Sequence, residues 1–232
     1  MRVVTTCHKE GFDRYAHRLL DCWKYWPKGT ELHWYTEGFD LPPTPGIVEH
    51  KIEQLQTLAA FKSKHANYRP PNYLFDVVRF SNKVYAAADA LADYEGIGVW
   101  MDADCVTRKP IEPGFIESHL DGYMSMLKRR GMYTETGFWL MDCTHPQHRD
   151  FLATWTGWYE AGAFKGLANW TDCETLDATV RKFEKAGLIK TSSLSGEFED
   201  DMHPMAKIPL GAYIDHCKGG RKDLGYSPEA LQ

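Results

Sequence analysis

A chain of 232 residues, 43% hydrophobic and 13% aromatic, can bury one sizeable core, which excludes disorder and collagen-like or repeat architectures. Its formal charge of -5 offers no general attraction to nucleic acid or to an anionic membrane. Six cysteines stand far apart with no C-x-x-C, so a disulfide scaffold and a structural zinc site are not expected.

The opening residues, MRVVTTCHKEGF, lack the apolar run of a signal peptide. No later stretch approaches the ~20 apolar residues of a membrane span. A cytoplasmic protein without a transmembrane segment and with reduced thiols is therefore expected. Arg2 to Thr6 (RVVTT) predicts a strand. Phe12, Tyr15, Ala16, Leu19, Cys22, Trp23 and Trp26 then recur at helical spacing until Pro27 stops the pattern. Glu31 to Tyr35 (ELHWY) predicts a second strand, LPPTPG at 41–46 a turn, and the segment from Ile52 to His65 a helix.

Beyond the RPPN loop, Val77, Phe80, Val84, Ala88 and Leu91 recur at three- and four-residue steps, predicting one long helix from Tyr73 to Ala92. Asp76, Arg79 and Lys83 share one face of it, as a ligand-facing group or as a salt bridge on a solvated face. Gly96 and Gly98 lead into Val99 to Met101, too apolar on both faces for an edge and therefore expected at the centre of a parallel or mixed sheet. Tyr123 to Leu127, Gly137 to Met141 and Gly211 to Asp215 predict further strands. Pro146 to Tyr159 and Cys173 to Lys185 predict helices, with His145 and His148 flanking the start of the first and holding no metal. The alternation argues α/β: a Rossmann-like mixed sheet with flanking helices. No composition shift marks a boundary, so residues 1–232 are expected to form a single domain.

The central strand ends in VWMDADC, with Asp102 and Asp104 on either side of one alanine. A D-x-D is also what a solvated strand end looks like. At the C-terminal edge of a buried strand, however, it stands where open α/β sheets bind ligands. Two carboxylates so close repel, and a hard divalent cation is the usual means of keeping both ionised. Such an ion neutralises a departing diphosphate as a Lewis acid. Near the other end, DHCKGGRK (215–222) gathers His216, two glycines and three cations. It reads as a basic surface turn or as a phosphate-contacting loop with an imidazole that suits Mn²⁺-type ions.

The apolar strand ending in D-x-D, together with the H-x-x-G-x-x-K formed by His216, Gly219 and Lys222, resembles the GT-A glycosyltransferases, especially those like glycogenin and bacterial lipopolysaccharide galactosyltransferases. The resemblance implies a GT-A fold and Mn²⁺ (or Mg²⁺) on Asp102, Asp104 and His216. It also implies a diphosphate contact by Lys222, helped by Lys218 or Arg221, and a nucleotide-sugar donor, most commonly a UDP-sugar. Thr5 and Thr6 stand where that fold receives the base and ribose, although threonines are also ordinary strand formers. The D-x-x-R of Asp76 and Arg79 looks like the donor-sugar element of glycosyltransferases related to clostridial toxins, but Arg79 lies farther from the D-x-D than in that pattern.

ETGFWLMD (135–142) looks like the strand whose glycine, here Gly137, lines the donor-sugar pocket. TDCETLD (171–177) follows in the place where retaining members read D-Q-D, with Cys173 at the glutamine position. Asp172 and Glu174 are the candidate catalytic carboxylates, orienting the sugar or, in an inverting reaction, acting as base. The same residues also read as a helix start, with Thr171 or Asp172 as N-cap. Tyr133, Trp139, Trp155, Trp158 and Trp170 are either core residues or an apolar face for an acceptor. Carbohydrate, lipid-linked sugar, protein and modified nucleobase are all open as acceptors, and general nucleic-acid binding is not expected. A sugar-nucleotide pyrophosphorylase would need a Gly-rich phosphate loop near the N-terminus, where VVTTCHKEGFDR stands instead. A catalytically silent binding protein would have little need of a complete diphosphate and metal set.

Overall fold

The computed structural model describes residues 1–229. Seven of its strands form one mixed sheet: β1 (Arg2–His8), β2 (Glu31–Glu37), β3 (Ile47–Lys51), β4 (Ile97–Met101), β6 (Met124–Leu127), β7 (Glu135–Asp142) and β8 (Thr191–Ser193). Their order is β3-β2-β1-β4-β7-β6-β8. Only β7 runs against its neighbours β4 and β6, the other pairs being parallel. The first residues of β7 therefore lie level with the C-terminal ends of β4 and β6, with Phe138 opposite Met101 and Glu135 opposite Leu127. A separate two-stranded ribbon joins β5 (Cys105–Thr107) antiparallel to β9 (Ile214–His216).

Alternation along the strands divides the apolar residues between two cores. Val99, Met101, Phe138 and Leu140 face one side, packing with Leu19, Trp23, Trp34, Leu210 and Ile214. Trp100, Trp139 and Met141 face the other, with Val84, Trp155 and Phe183. Sandwiching β4 between two helical layers explains why it is apolar on both faces, and burying each such side chain contributes roughly 1.5–3 kcal/mol. The second layer is built from α4 (Val77–Leu91), α5 (His148–Glu160) and α6 (Asp172–Lys185), joined by α3 (Gln56–Lys64). The first layer carries α2 (His17–Cys22), which follows the short α1 (Lys9–Gly11), and near the C-terminus α7 (Arg221–Leu224) lies against the Phe12–Ala16 segment between them. Among the described residues no helix is long and apolar enough to cross a membrane.

Several expected boundaries move. The single helix over 12–26 is broken, because Phe12–Ala16 forms a π-turn between α1 and α2, and Trp23–Tyr25 tightens to 3-10 before Trp26 becomes extended. The helix expected from Ile52 starts only at Gln56, since Ile52–Gln54 is a 3-10 turn and Leu55 is extended. α4 begins at Val77, after a 3-10 turn over Tyr73–Phe75. The last strand is Ile214–His216 and not Gly211 to Asp215: Pro209 opens a 3-10 turn through Ala212, and Gly211 packs against the Met205 carbonyl too closely for any side chain. β3, β5 and β8 were not expected, β3 because its IVEHK is a mostly polar edge and the other two because they are three residues long.

Candidate functional site

The D-x-D occupies the turn that carries the chain from the large sheet into the ribbon. Asp102 N–H donates to the Gly137 carbonyl (2.8 Å), Cys105 N–H donates back to the Asp102 carbonyl (2.9 Å), and β5 then pairs Cys105 with His216. Cys217 N–H closes the corner on the Asp104 carbonyl at 3.1 Å. Backbone pairing alone thus brings the C-terminal histidine to the acids.

Each carboxylate divides its oxygens in the same way. Asp102 Oδ1 accepts from Trp100 Nε1 (2.7 Å) and faces Lys83 Nζ (2.8 Å), while Oδ2 lies 3.7 Å from His216 Nε2. Asp104 Oδ2 is 3.0 Å from Lys222 Nζ, while Oδ1 is 3.2 Å from His216 Nε2. That last approach lacks hydrogen-bond geometry, so Asp104 Oδ1 is buried without a donor. The other imidazole nitrogen, Nδ1, stands 2.6 Å from Glu135 Oε1. Burial opposes charge on Asp104, yet His216 and then Lys222 hold its carboxyl far below the usual range. Burial likewise opposes charge on the His216 ring, but Asp104 and Glu135 outweigh it and push the ring up to about 10. Glu135, desolvated but facing His216, is brought down to about 2.

Gly137 makes room for this ring. A Cβ there would overlap His216 Cε1 and Nδ1, so the imidazole lies flat against the bare strand. Glu135 and Gly137, two residues apart on β7, project to one face, the glycine as a slot and the glutamate as its stop.

Asp102 Oδ2 and Asp104 Oδ1 each face His216 Nε2, and the Asp104 oxygen is buried without a donor, a carboxylate and imidazole setting that suits a hard divalent cation. Among the described residues the ligand atoms that all lie within 4.8 Å of one another belong to Asp104, Cys105 and His216, with Asp102 outside that set. Burial keeps the Cys105 thiol protonated, its pKa raised well above the ordinary value, and the sulfur lies 3.9 Å from the Gly137 carbonyl. A soft, protonated thiol beside hard carboxylates is a wall of the site and the weaker ligand.

A second branch runs from Asp102 to the start of α6. Lys83 Nζ lies 3.0 Å from Asp172 Oδ2 and donates to the Thr136 carbonyl (3.0 Å) and hydroxyl (3.2 Å); the Thr136 hydroxyl in turn donates to Asp172. Burial disfavours its charge, but Asp102 and Asp172 hold Lys83 charged well beyond its ordinary range. Thr171 caps α6, its hydroxyl accepting from Glu174 N–H at 3.3 Å, which realises the helix-start reading of TDCETLD beside the site. Glu174 is turned aside, accepting from Asn169 Nδ2 at 3.0 Å.

The remaining candidates spread around this centre. Asp76 caps α4, accepting from Arg79 N–H (3.2 Å), and the Arg79 side chain is exposed. Thr5 is buried with an unpartnered hydroxyl, while Thr6 donates across to the Tyr35 carbonyl at 2.9 Å. Gly219 has φ +64°, a conformation that favours glycine, and leads into α7. Arg14 grips Asp223 with two hydrogen bonds and Arg18 donates to the Lys222 carbonyl, fixing the loop that bears Lys222, whose ammonium sits 4.5 Å from the Tyr15 ring centre. Arg221 points elsewhere, pairing with Glu229 and lying 3.0 Å from His203 Nε2. Lys218 is half-buried, near enough for its charge to help depress Glu135. Trp139 and Trp155 are core residues; Trp158 and Trp170 are partly buried, and Tyr133 lies beneath Arg129. Glu135, Trp100 and Tyr15 were not singled out in the sequence. For Glu135 the available signal was an acid two residues from a glycine in an otherwise apolar strand.

No family model matches the sequence, and no curated protein matches it. Solved structures do. Mouse xyloside xylosyltransferase 1 in its apo form superposes with a TM-score of 0.52 at 11% identity, over 83% of this chain and 84% of that one. The galactosyltransferase LgtC, in complex with donor and acceptor sugar analogs, gives 0.52 at 10% identity over 95% and 88%. An active-site mutant of LgtC gives 0.53 at 11% identity over 94% and 88%. At such identities the likeness speaks for architecture alone: the chain has the α/β fold of GT-A-type glycosyltransferases, a mixed seven-stranded sheet with flanking helices.

Proposed function

We propose that the chain is a metal-dependent glycosyltransferase that moves a sugar from a nucleotide diphosphate sugar, a UDP-sugar, to an acceptor hydroxyl. The observation that carries the reading is the convergence of Asp102 Oδ2 and the donorless Asp104 Oδ1 on His216 Nε2, with Lys222 alongside, at the C-terminal sheet edge of this fold. Mn²⁺ or Mg²⁺ held there would supply Lewis-acid neutralisation of a departing diphosphate.

The chain's own groups account for the remaining work. Lys222, with Lys218 at the same loop, offers charge-assisted contacts to diphosphate oxygens. Asp172, held between Lys83 and Thr136, offers a fixed acceptor for a donor-sugar hydroxyl, while Asp76 and Arg79 at the start of α4 would contribute from outside that cluster. The hold of Lys83 and Thr136 on Asp172 supports it as an orienting group, and the resemblance of the His216, Gly219 and Lys222 segment favours retention over inversion. Glu174, bound to Asn169, is the less suited of the two carboxylates. Thr5 and Thr6 lie in the C-terminal half of the strand that would meet the base and ribose, and Gly137 gives the His216 ring room to sit against β7. The six cysteines are free thiols, five of them buried, which supports a reducing, cytoplasmic setting. The acceptor is a carbohydrate, a lipid-linked sugar, a protein or a modified base.

The test is to incubate the protein with Mn²⁺ and a panel of nucleotide sugars and to measure nucleotide diphosphate release with and without candidate acceptors. Mn²⁺-dependent release from one donor class is expected; release from none would leave a silent binding protein as the better account.

A further inference from the structure

The pair of Glu135 and His216 has no place in the mechanism above, although it is deeply enclosed, with 2% and 4% of the two side chains exposed. The imidazole separates two sets of carboxylates. Nε2 faces Asp102 and Asp104 at 3.7 and 3.2 Å, whereas Nδ1 faces Glu135 at 2.6 Å. Glu135 approaches from the far edge of the ring, which places it behind the ligand set. A ring pressed against Gly137 and stopped by Glu135 has a single orientation left, and a carboxylate at Nδ1 requires the proton there.

Glu135 is itself held in place. Its Oε2 has no hydrogen-bond partner but lies 3.9 Å from Arg129 Nη1 and 4.0 Å from His203 Nδ1. Arg129 is 2% exposed and anchored by Tyr133 and Met202 carbonyls at 3.1 and 3.2 Å. A buried arginine fixed by two main-chain acceptors keeps a negative charge behind His216 whether or not the acids in front are neutralised.

From this arrangement we propose that Glu135 is a positioning residue for the metal: it fixes the proton of His216 on Nδ1, turns the Nε2 lone pair towards Asp102 and Asp104, and thereby sets the affinity of the site for a divalent cation. The inference rests on the metal reading given above and adds a residue to it. Carboxylates that orient a ligating histidine in this way are typically worth about 10–100-fold in metal affinity. Arg129 is the next link, since it stabilises the charge that Glu135 presents.

The test uses the full chain without donor or acceptor, titrating Mn²⁺ against wild type, Glu135→Gln and Glu135→Asp and following free Mn²⁺ by electron paramagnetic resonance. Glu135→Gln keeps the shape but removes the charge and is expected to weaken Mn²⁺ roughly 10–100-fold. Glu135→Asp keeps the charge and should recover part of that loss, which a merely space-filling role would not give. A Glu135→Gln protein that binds Mn²⁺ within twofold of wild type overturns the inference while leaving the metal reading in place; a wild type that binds no Mn²⁺ overturns both. Because a buried substitution can impair folding, ¹⁵N-resolved NMR of the His216 ring in Mg²⁺-loaded wild type provides a second measurement. A proton on Nδ1 is expected, and a proton on Nε2 overturns the proposal without any variant.

Discussion

Replacing Lys222 with methionine should move metal binding and nucleotide binding in opposite directions. Lys222 Nζ is 3.0 Å from Asp104 Oδ2, its side chain 20% exposed and that of Asp104 only 6%. At an effective dielectric of about 20, unit charges at this spacing attract by about 5 kcal/mol before the cost of desolvating them. Desolvation removes most of that, leaving roughly 1–2 kcal/mol for a partly buried pair of this kind. A cation entering the site competes with the lysine for the same carboxylate. Removing the ammonium is therefore expected to tighten Mn²⁺ binding about 5–30-fold in the absence of nucleotide, at 1.4 kcal/mol per tenfold. On the proposed reading the same ammonium would be free to contact the diphosphate in the loaded protein, through a charge-assisted hydrogen bond worth roughly 1.5–3 kcal/mol. UDP affinity at saturating Mn²⁺ should accordingly fall about 10–100-fold. Isothermal titration calorimetry with Mn²⁺ alone, then with UDP at saturating Mn²⁺, reads both numbers. If Mn²⁺ affinity also fell, or did not change, Lys222 would not be the internal stand-in for the cation and the reasoning would be refuted.

Gly137→Ala places a Cβ inside the His216 ring. Since the strand is fixed on both sides, the histidine must leave, and Mn²⁺ affinity should drop at least tenfold while far-ultraviolet circular dichroism stays unchanged; retained affinity would show that the ring has another seat. The metal site should also titrate. His216, held up at about 10 in the metal-free protein, contributes stability that is complete below about 6.5 and is lost as pH rises through 10. A cation on Nε2 must displace that proton, so Mn²⁺ affinity is expected to rise about tenfold per pH unit between roughly 6.5 and 9, with about one proton released per ion. Calorimetry in buffers of different ionisation enthalpy counts that proton, and a pH-independent affinity would remove His216 from the ligand set.

What the sequence made visible follows from the range over which each feature acts. β4 was legible because burial on both faces left a run of apolar residues ending in two acids. The His216, Gly219 and Lys222 spacing was legible because the three lie within seven consecutive residues, from the end of β9 to the first turn of α7. β3 was hidden by its polar edge composition, and β5 and β8 by lengths too short to show a period. Glu135 was hidden for another reason: its partner is 81 residues away, and only the antiparallel insertion of β7 between β4 and β6 brings them together. Lys83 lay on the helix face shared with Asp76 and Arg79, but its meeting with Asp172 depends on α4 and α6 packing over the same sheet edge. Asp76 and Asp172 both sit at helix starts, yet only Asp172 is drawn into the cluster.

The central claim is that the two acids hold a cation for a leaving diphosphate. Asp104→Asn tests it most directly, because it removes the carboxylate charge at a turn and leaves both cores untouched. With a donor that the wild type cleaves, nucleotide diphosphate release should fall by at least about 100-fold across an Mn²⁺ titration, with far-ultraviolet circular dichroism unchanged although the loss of charge opposite His216 and Lys222 lowers the melting temperature. Release at the wild-type rate, with unchanged dependence on Mn²⁺, would contradict the account.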